Sequence, residues 1–185
     1  MIDMAFIDIC KNSNVDSAIV KQIIHVESDF KEYTVNVNKH DTFLSKTREE
    51  AEKTAKDYIE KGYSVDMGLM QFNSKNLNSP SFKHLTISDL FDPCKNIKAG
   101  SDVFFLAYES TSKDLSKEER IKKALSIYNT GNQELGFQNG YVAKYSSSLP
   151  TLVVSSLAEQ ARKADTRINI SYNLFNMESK RGDNK

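Results

Sequence analysis

The chain has 185 residues, 25 basic and 25 acidic, so its formal net charge is zero; 39% of residues are hydrophobic and 27% charged. That length holds one domain with a real core, or a domain and a tail. The balanced charge gives no electrostatic handle for nucleic acid or an anionic membrane. No apolar run approaches the roughly 18–20 residues of a membrane span.

The opening "MIDMAFIDIC" lacks a basic n-region and a long apolar h-region, so it is not a secretory signal as it stands. The chain is expected to be cytosolic, or to have lost such a signal. The first predicted helix starts near Asp16, after the polar cap "NSNVDS". At 100° per residue, Val15, Ile19, Val20, Ile23, Ile24, Val26 and Phe30 share one half of its wheel. Lys21 and Ser28 point to the other half, and His25 reads as a surface residue. "YTVNVN" then alternates as a strand does.

"TREE" is a capping box, Thr47 with Glu50, opening a helix that Gly62 closes. "YSVDMGLMQF" is a second β-like stretch that can pair with the first. "FDPC" sets Asp92 as N-cap and Pro93 as first helical residue. "SKEE" is another capping box, Ser116 with Glu119, whose helix ends at Gly131; "YVAKY" reads as a last short helix. After Leu149-Pro150 the character changes. "SSLAEQARKA" suits a short helix, "TRINISYNLF" alternates like a strand, and "MESKRGDNK" is polar. The expected organisation is a domain over 1–149 and an extension over 150–185.

Within "KQIIHVESDF", Glu27 lands in the apolar half of its wheel, beside Val20, Ile23 and Ile24. Apolar neighbours and the helix's last carbonyls both disfavour its charged form. A carboxylic acid kept protonated near neutral pH is what a general acid needs. Taken alone, a buried glutamate that caps backbone or pairs with a lysine explains the pattern better. In "DMGLMQFN", Gly68 permits a tight turn, and Gln71 and Asn73 offer amides that suit sugar hydroxyls and acetamido groups. Leu69 and Met70 read as core. In "SIYNTGN", Tyr128 brings a hydroxyl to a helix end beside Asn129 and Thr130, though taken alone a core tyrosine at a C-cap is the better reading. Tyr141, taken singly, reads as core. Asp66 reads as a turn or strand-end residue bonded to the backbone before Gly68. Cys10 and Cys94 form no CxxC or zinc spacing, and spacing does not choose between two buried thiols and one long-range disulfide. His25, His40 and His84 make no metal pattern.

"HVES", "GYSVDMGLMQFN", "FDPCKN", "ALSIYNTGN" and "GFQNGYVAKY" occur in that order over about residues 6–146. Together they resemble the soluble lytic transglycosylases, most closely the VirB1-like members of type IV secretion systems. The resemblance implies a mainly α (α+β), lysozyme-like domain with a small β-hairpin region beside a sugar cleft. It implies periplasmic cleavage of peptidoglycan glycan strands by a monomer, without cofactor or metal, and with other secretion-system components as candidate partners. It places the acid/base at Glu27 beside Ser28, lines the cleft with Gln71 and Asn73, has Tyr128 position Glu27, and sets Asn129 and Tyr141 at the border. It also favours a Cys10–Cys94 disulfide. Asp29 stands where the family commonly has glycine after the Glu-Ser pair, and on the wheel it points away from Glu27. "QFN" replaces the common "QIN".

Hydrolytic glycosidases usually need two carboxylates. The resemblance implies one, with the sugar's own C6 hydroxyl closing a 1,6-anhydro ring. One rival expectation is a muramidase that recruits Asp66 and water. Another is a non-catalytic peptidoglycan-binding assembly factor.

Overall fold

The computed structural model describes residues 2–149. The expected helix and strand over 150–185 lie outside the described residues. Elements in chain order are α1 (Met4–Cys10), α2 (Ser17–Ser28), β1 (Thr34–Val37), β2 (Thr42–Leu44), α3 (Arg48–Glu60), β3 (Val65–Met67), β4 (Phe72–Asn73), α4 (Pro93–Glu109), α5 (Lys117–Thr130) and α6 (Leu135–Gln138). Short 3₁₀ turns occupy Ser74–Asn78, Asp89–Phe91 and Val142–Tyr145. The expected mainly α fold with a small sheet is what forms.

The caps act where the sequence puts them. The Asp16 carboxylate accepts from the Ala18 N–H, Asp92 from Lys95, and Ser116 closes a complete capping box with Glu119. At α3 the box is displaced: Thr47 accepts from Glu50 N–H, but the Glu50 carboxylate takes the Lys46 N–H, one residue upstream. Three elements carry too little pattern to be read in advance. α1 is two turns long and opens on an Asp3 cap. β2 is three residues with an exposed, half-buried, exposed profile. α6 is a single turn, seated because Gly136 has no side chain: a Cβ there would lie 2.6 Å from the Ser126 Cα.

Two apolar clusters fill two lobes. One gathers Ile7, Ile19, Val20, Ile23, Ile24, Leu69, Met70, Ile97, Phe104 and Leu125 among the helices. The other lies under the sheet, where Val35, Val37, Ala51, Ala55, Val65, Met67, Phe72 and Phe91 pack on α3. The sheet is antiparallel in the order β2-β1-β3-β4, with Val35 opposite Met67 and Met67 opposite Phe72. α4 is the shared wall: Ile97 and Phe104 belong to the first cluster, Ala99 to the second. Gly100 makes room for Met70, whose Cβ would sit 2.5 Å from an added methyl. Cys10 and Cys94 are joined, Cα atoms 5.0 Å apart, which ties the end of α1 to the start of α4 across 84 residues of sequence.

Candidate active site

Glu27 stands in the last turn of α2, where Asp29 closes the helix in the left-handed region (φ 50°). The four apolar side chains Ile19, Val20, Ile23 and Ile24 are buried and fix the helix face. At roughly 1.5–3 kcal/mol each they outweigh the cost of holding one carboxyl out of water. Glu27 lines a cleft of about 1230 Å³ between the lobes. Burial lifts its pKa from the usual 4.5 to about 7; the Tyr141 bond and the Lys144 charge pull down, and the Asp66 charge pushes up. The Tyr141 hydroxyl donates to Glu27 Oε1 in a short bond, and Tyr141 Oη lies 2.8 Å from Tyr145 Oη. The Tyr145 side chain is fully buried.

Opposite runs the tight turn 68–71, whose backbone is held by the side chains of Ser28, Gln71, Asn96 and Tyr128. Gly68 takes φ 75°, and a Cβ there would lie 2.3 Å from the Asn96 Nδ2. Buried Asn96 donates to the Met67 and Leu90 carbonyls and accepts from Met70 N–H at 2.8 Å. Ser28 donates to the Leu69 carbonyl at 2.8 Å, and Tyr128 to the Met70 carbonyl at 2.5 Å. Gln71, itself in the left-handed region (φ 47°), donates to the Gly68 and Thr34 carbonyls. Backbone in so strained a turn persists only when its surroundings over-determine it, and here they do.

Asp66 belongs to β3, and its neighbours differ from the turn-residue reading. Its carboxylate accepts from Asn36 Nδ2 at 3.0 Å, Asn38 Nδ2 at 2.9 Å and Asn73 Nδ2 at 2.5 Å. Burial raises its pKa, and the three amides oppose the rise. It lines the same cleft as Glu27. Asp66 thus sits in a strand, but the expectation that it bonds the backbone before Gly68 is corrected: its partners are three side-chain amides.

The remaining expected residues divide. Gln71, Asn73, Tyr128 and Asn129 line the cleft. Asn129 accepts from the Asn139 amide at 3.1 Å. Ser28, read from the wheel as polar-facing, is buried and spends its hydroxyl on the Leu69 and Ile24 carbonyls. It braces the turn and does not line the cleft. Tyr128 likewise holds the turn; the hydroxyl on Glu27 is that of Tyr141. Asp29 does point away, pairing with Lys31 at 3.2 Å and His25 at 3.4 Å. Asn36, Asn38, Asn96 and Tyr145 were missed. For the first two the signal was present: alternating asparagines in "VNVN" share one sheet face. Among the described residues no cluster of His, Cys, Asp and Glu has metal-holding geometry, and no helix is long and apolar enough to cross a membrane.

The transglycosylase SLT domain, a recognised sequence family, matches residues 4–149. The chain belongs to this family. Within the SLT family its lysozyme-like, mainly α architecture is the expected one. Similar proteins include protein VirB1 of Agrobacterium fabrum, 30% identical over 141 residues, covering 76% of this chain and 56% of that protein. Protein VirB1 of Rhizobium radiobacter is 29% identical over 141 residues, covering 76% and 58%. Type IV secretion system protein VirB1 of Brucella abortus is 32% identical over 119 residues, covering 63% and 49%. The chain thus spans about half the length of these relatives. No solved structure matches it.

Proposed function

We propose that this SLT domain is a peptidoglycan lytic transglycosylase. One observation carries the reading: a carboxyl with a pKa near 7, held by a tyrosine hydroxyl, opens into a cleft of glycan size. Below that pH Glu27 is protonated and can donate to the glycosidic oxygen between N-acetylmuramic acid and N-acetylglucosamine. The muramic acetamido group steadies the cationic carbon. Glu27, now ionised, takes the proton of the same sugar's C6 hydroxyl, whose oxygen closes on C1 as a 1,6-anhydro ring. The proton count balances, and Glu27 ends as it began. The cleft-side amides of Gln71, Asn73 and Asn129 would bind sugar, with Tyr141 setting the Glu27 carboxyl.

The disulfide favours an oxidising compartment, in line with a periplasmic site of action. Likeness to the VirB1 proteins suggests a role in locally opening the wall for a type IV secretion system. A second reading is hydrolytic, because Asp66 shares the cleft and its charge reaches Glu27. Its three amide partners already occupy the carboxylate that such a mechanism would need. A pure binding module has no use for a desolvated acid.

The test is digestion of purified sacculi with mass spectrometry of the fragments. Muropeptides ending in 1,6-anhydro-N-acetylmuramic acid, lighter by one water than hydrolytic ends and absent with Glu27→Gln, are expected. Predominantly reducing-end muramic acid would favour the Asp66 reading.

A further inference from the structure

A group that is first an acid and then a base needs its surroundings to suit both states. The hydroxyls behind Glu27 do this in series. Tyr141 Oη meets Glu27 Oε1 on one side and Tyr145 Oη on the other, and in the second contact either oxygen can be the donor. Tyr141 is 4% exposed and Tyr145 0%, so water does not compete for this contact. When Glu27 is ionised, Tyr141 donates to it and Tyr145 donates to Tyr141. When Glu27 is protonated, its proton can point to Tyr141, which then donates to Tyr145. A phenol is both donor and acceptor, so the chain reverses without moving a heavy atom.

We propose that Tyr145 is a positioning residue whose hydroxyl, acting through Tyr141, stabilises the ionised form of Glu27 in the base step. The proposal rests on Glu27 as the acid/base, and on no particular product. The two states do not gain equally from Tyr145. The bond to the carboxylate is charge-assisted, and a donor behind Tyr141 polarises it. The protonated state can do without that bond, because Tyr141 can still donate to the neutral carboxyl. Removing the Tyr145 hydroxyl therefore disfavours the anion. Other groups that act on Glu27 come from elsewhere: Asp66 on β3 and Lys144 beside Tyr141. Burial raises the pKa of Tyr128 on α5, and the nearby Glu27 charge adds to the rise. None of them is removed when Tyr145 loses its oxygen, so their influence cancels in a comparison with the wild type.

The test is Tyr145→Phe, which keeps the ring and removes one atom. Glu27 is titrated by carbon-13 NMR of protein labelled at the glutamate carboxyls, its resonance assigned by its loss in Glu27→Gln. Cooperative strengthening of about a tenth to a third of a charge-assisted bond reads as an upward shift of roughly 0.3–0.6 pH unit. The basic limb of the kcat/KM profile should move up by the same amount while KM holds. A Tyr141→Phe control should shift the titration further in the same direction. Replacing Tyr145 with site-specific 3-fluorotyrosine, a stronger donor of nearly equal size, should move it down, and this covers the case in which the phenylalanine variant folds poorly. A Glu27 titration unchanged in both Tyr145 proteins, or shifted in the same direction in both, overturns the proposal. The NMR readout needs no turnover, so an inactive but correctly titrating protein would count against the function proposed above and not against this relay.

Discussion

Two carboxyl groups face one cleft from opposite lobes, and the two lobes treat them differently. Glu27 comes from a helix end, where the backbone offers carbonyls and no spare N–H, so its one hydroxyl donor, Tyr141, comes from far along the chain, just before the last 3₁₀ turn. Asp66 comes from the middle of a sheet, where neighbouring strands present side chains at regular intervals, and three asparagine amides converge on it. Both are desolvated and both are raised by burial. Three N–H donors favour an anion, while a single hydroxyl at a helix C-terminus leaves a proton within easy reach. A helix end can thus leave a carboxyl poised as an acid where a sheet face surrounds one with donors that favour its ionised form.

The largest effect expected from breaking this asymmetry is on turnover. Glu27→Gln keeps the volume and removes the transferable proton. Cleavage of sacculi should fall by at least 10²–10⁴-fold with helical circular dichroism unchanged. Near wild-type clearing by the pure variant would remove Glu27 from the mechanism.

Next in size is the disulfide, which holds the helical lobe's first and fourth helices together. Closing so long a loop is worth roughly 3–5 kcal/mol on the chain-entropy model. Cys10→Ser should lower the denaturant midpoint accordingly without changing the Glu27 titration. Intact mass with and without reduction checks the bond itself, and two freely alkylated thiols in the unreduced protein would contradict it.

The acid's own cost to the fold comes third. The folded pKa of Glu27 lies above its unfolded value, so folding is favoured at low pH and loses that contribution as pH rises through about 7. Glu27→Gln should therefore be more stable than wild type at pH 8 by up to about 3 kcal/mol, with the difference vanishing near pH 4. Chemical denaturation at both pH values reads this directly; equal stabilities at pH 8 would mean that the carboxyl is better solvated than its position implies.

Smallest is Asp66→Asn. It removes the charge that pushes the Glu27 proton on, so the basic limb of the pH profile should move down. The new amide meets three amide donors, and activity should fall by about tenfold, the scale of a disturbed electrostatic neighbour. A loss matching that of Glu27→Gln would put Asp66 in the chemistry.

Much of the architecture was legible in the sequence because caps and periodicity are local. Asp16, Asp92 and Ser116 announce their helices, and the spacing of Ile19, Val20, Ile23 and Ile24 names the buried face. Glu27 stood out because it broke that pattern. What the wheel hid was tertiary. Ser28 looks solvent-facing until the 68–71 turn arrives to take its hydroxyl. Tyr128 and Tyr141 each read singly as core, and only tertiary packing decides that the Tyr141 hydroxyl reaches Glu27 while that of Tyr128 goes to the Met70 carbonyl. Asp66 was misread because its partners converge from separate places in the sheet: Asn36 in β1, Asn38 in the turn just after it, and Asn73 in β4. α1 and α6 are too short to carry a period at all.

The central claim is that one carboxyl does the chemistry and the substrate supplies the nucleophile. Digesting sacculi in oxygen-18 water tests it most directly. A hydrolytic route must place solvent oxygen on every new reducing end. The route through Glu27 alone draws its oxygen from the sugar's C6. Newly formed muramic ends that carry no label, at a digestion rate abolished by Glu27→Gln, are the predicted result. Label incorporated at every cleaved bond would contradict the account and assign a water, activated across the cleft, to the attack.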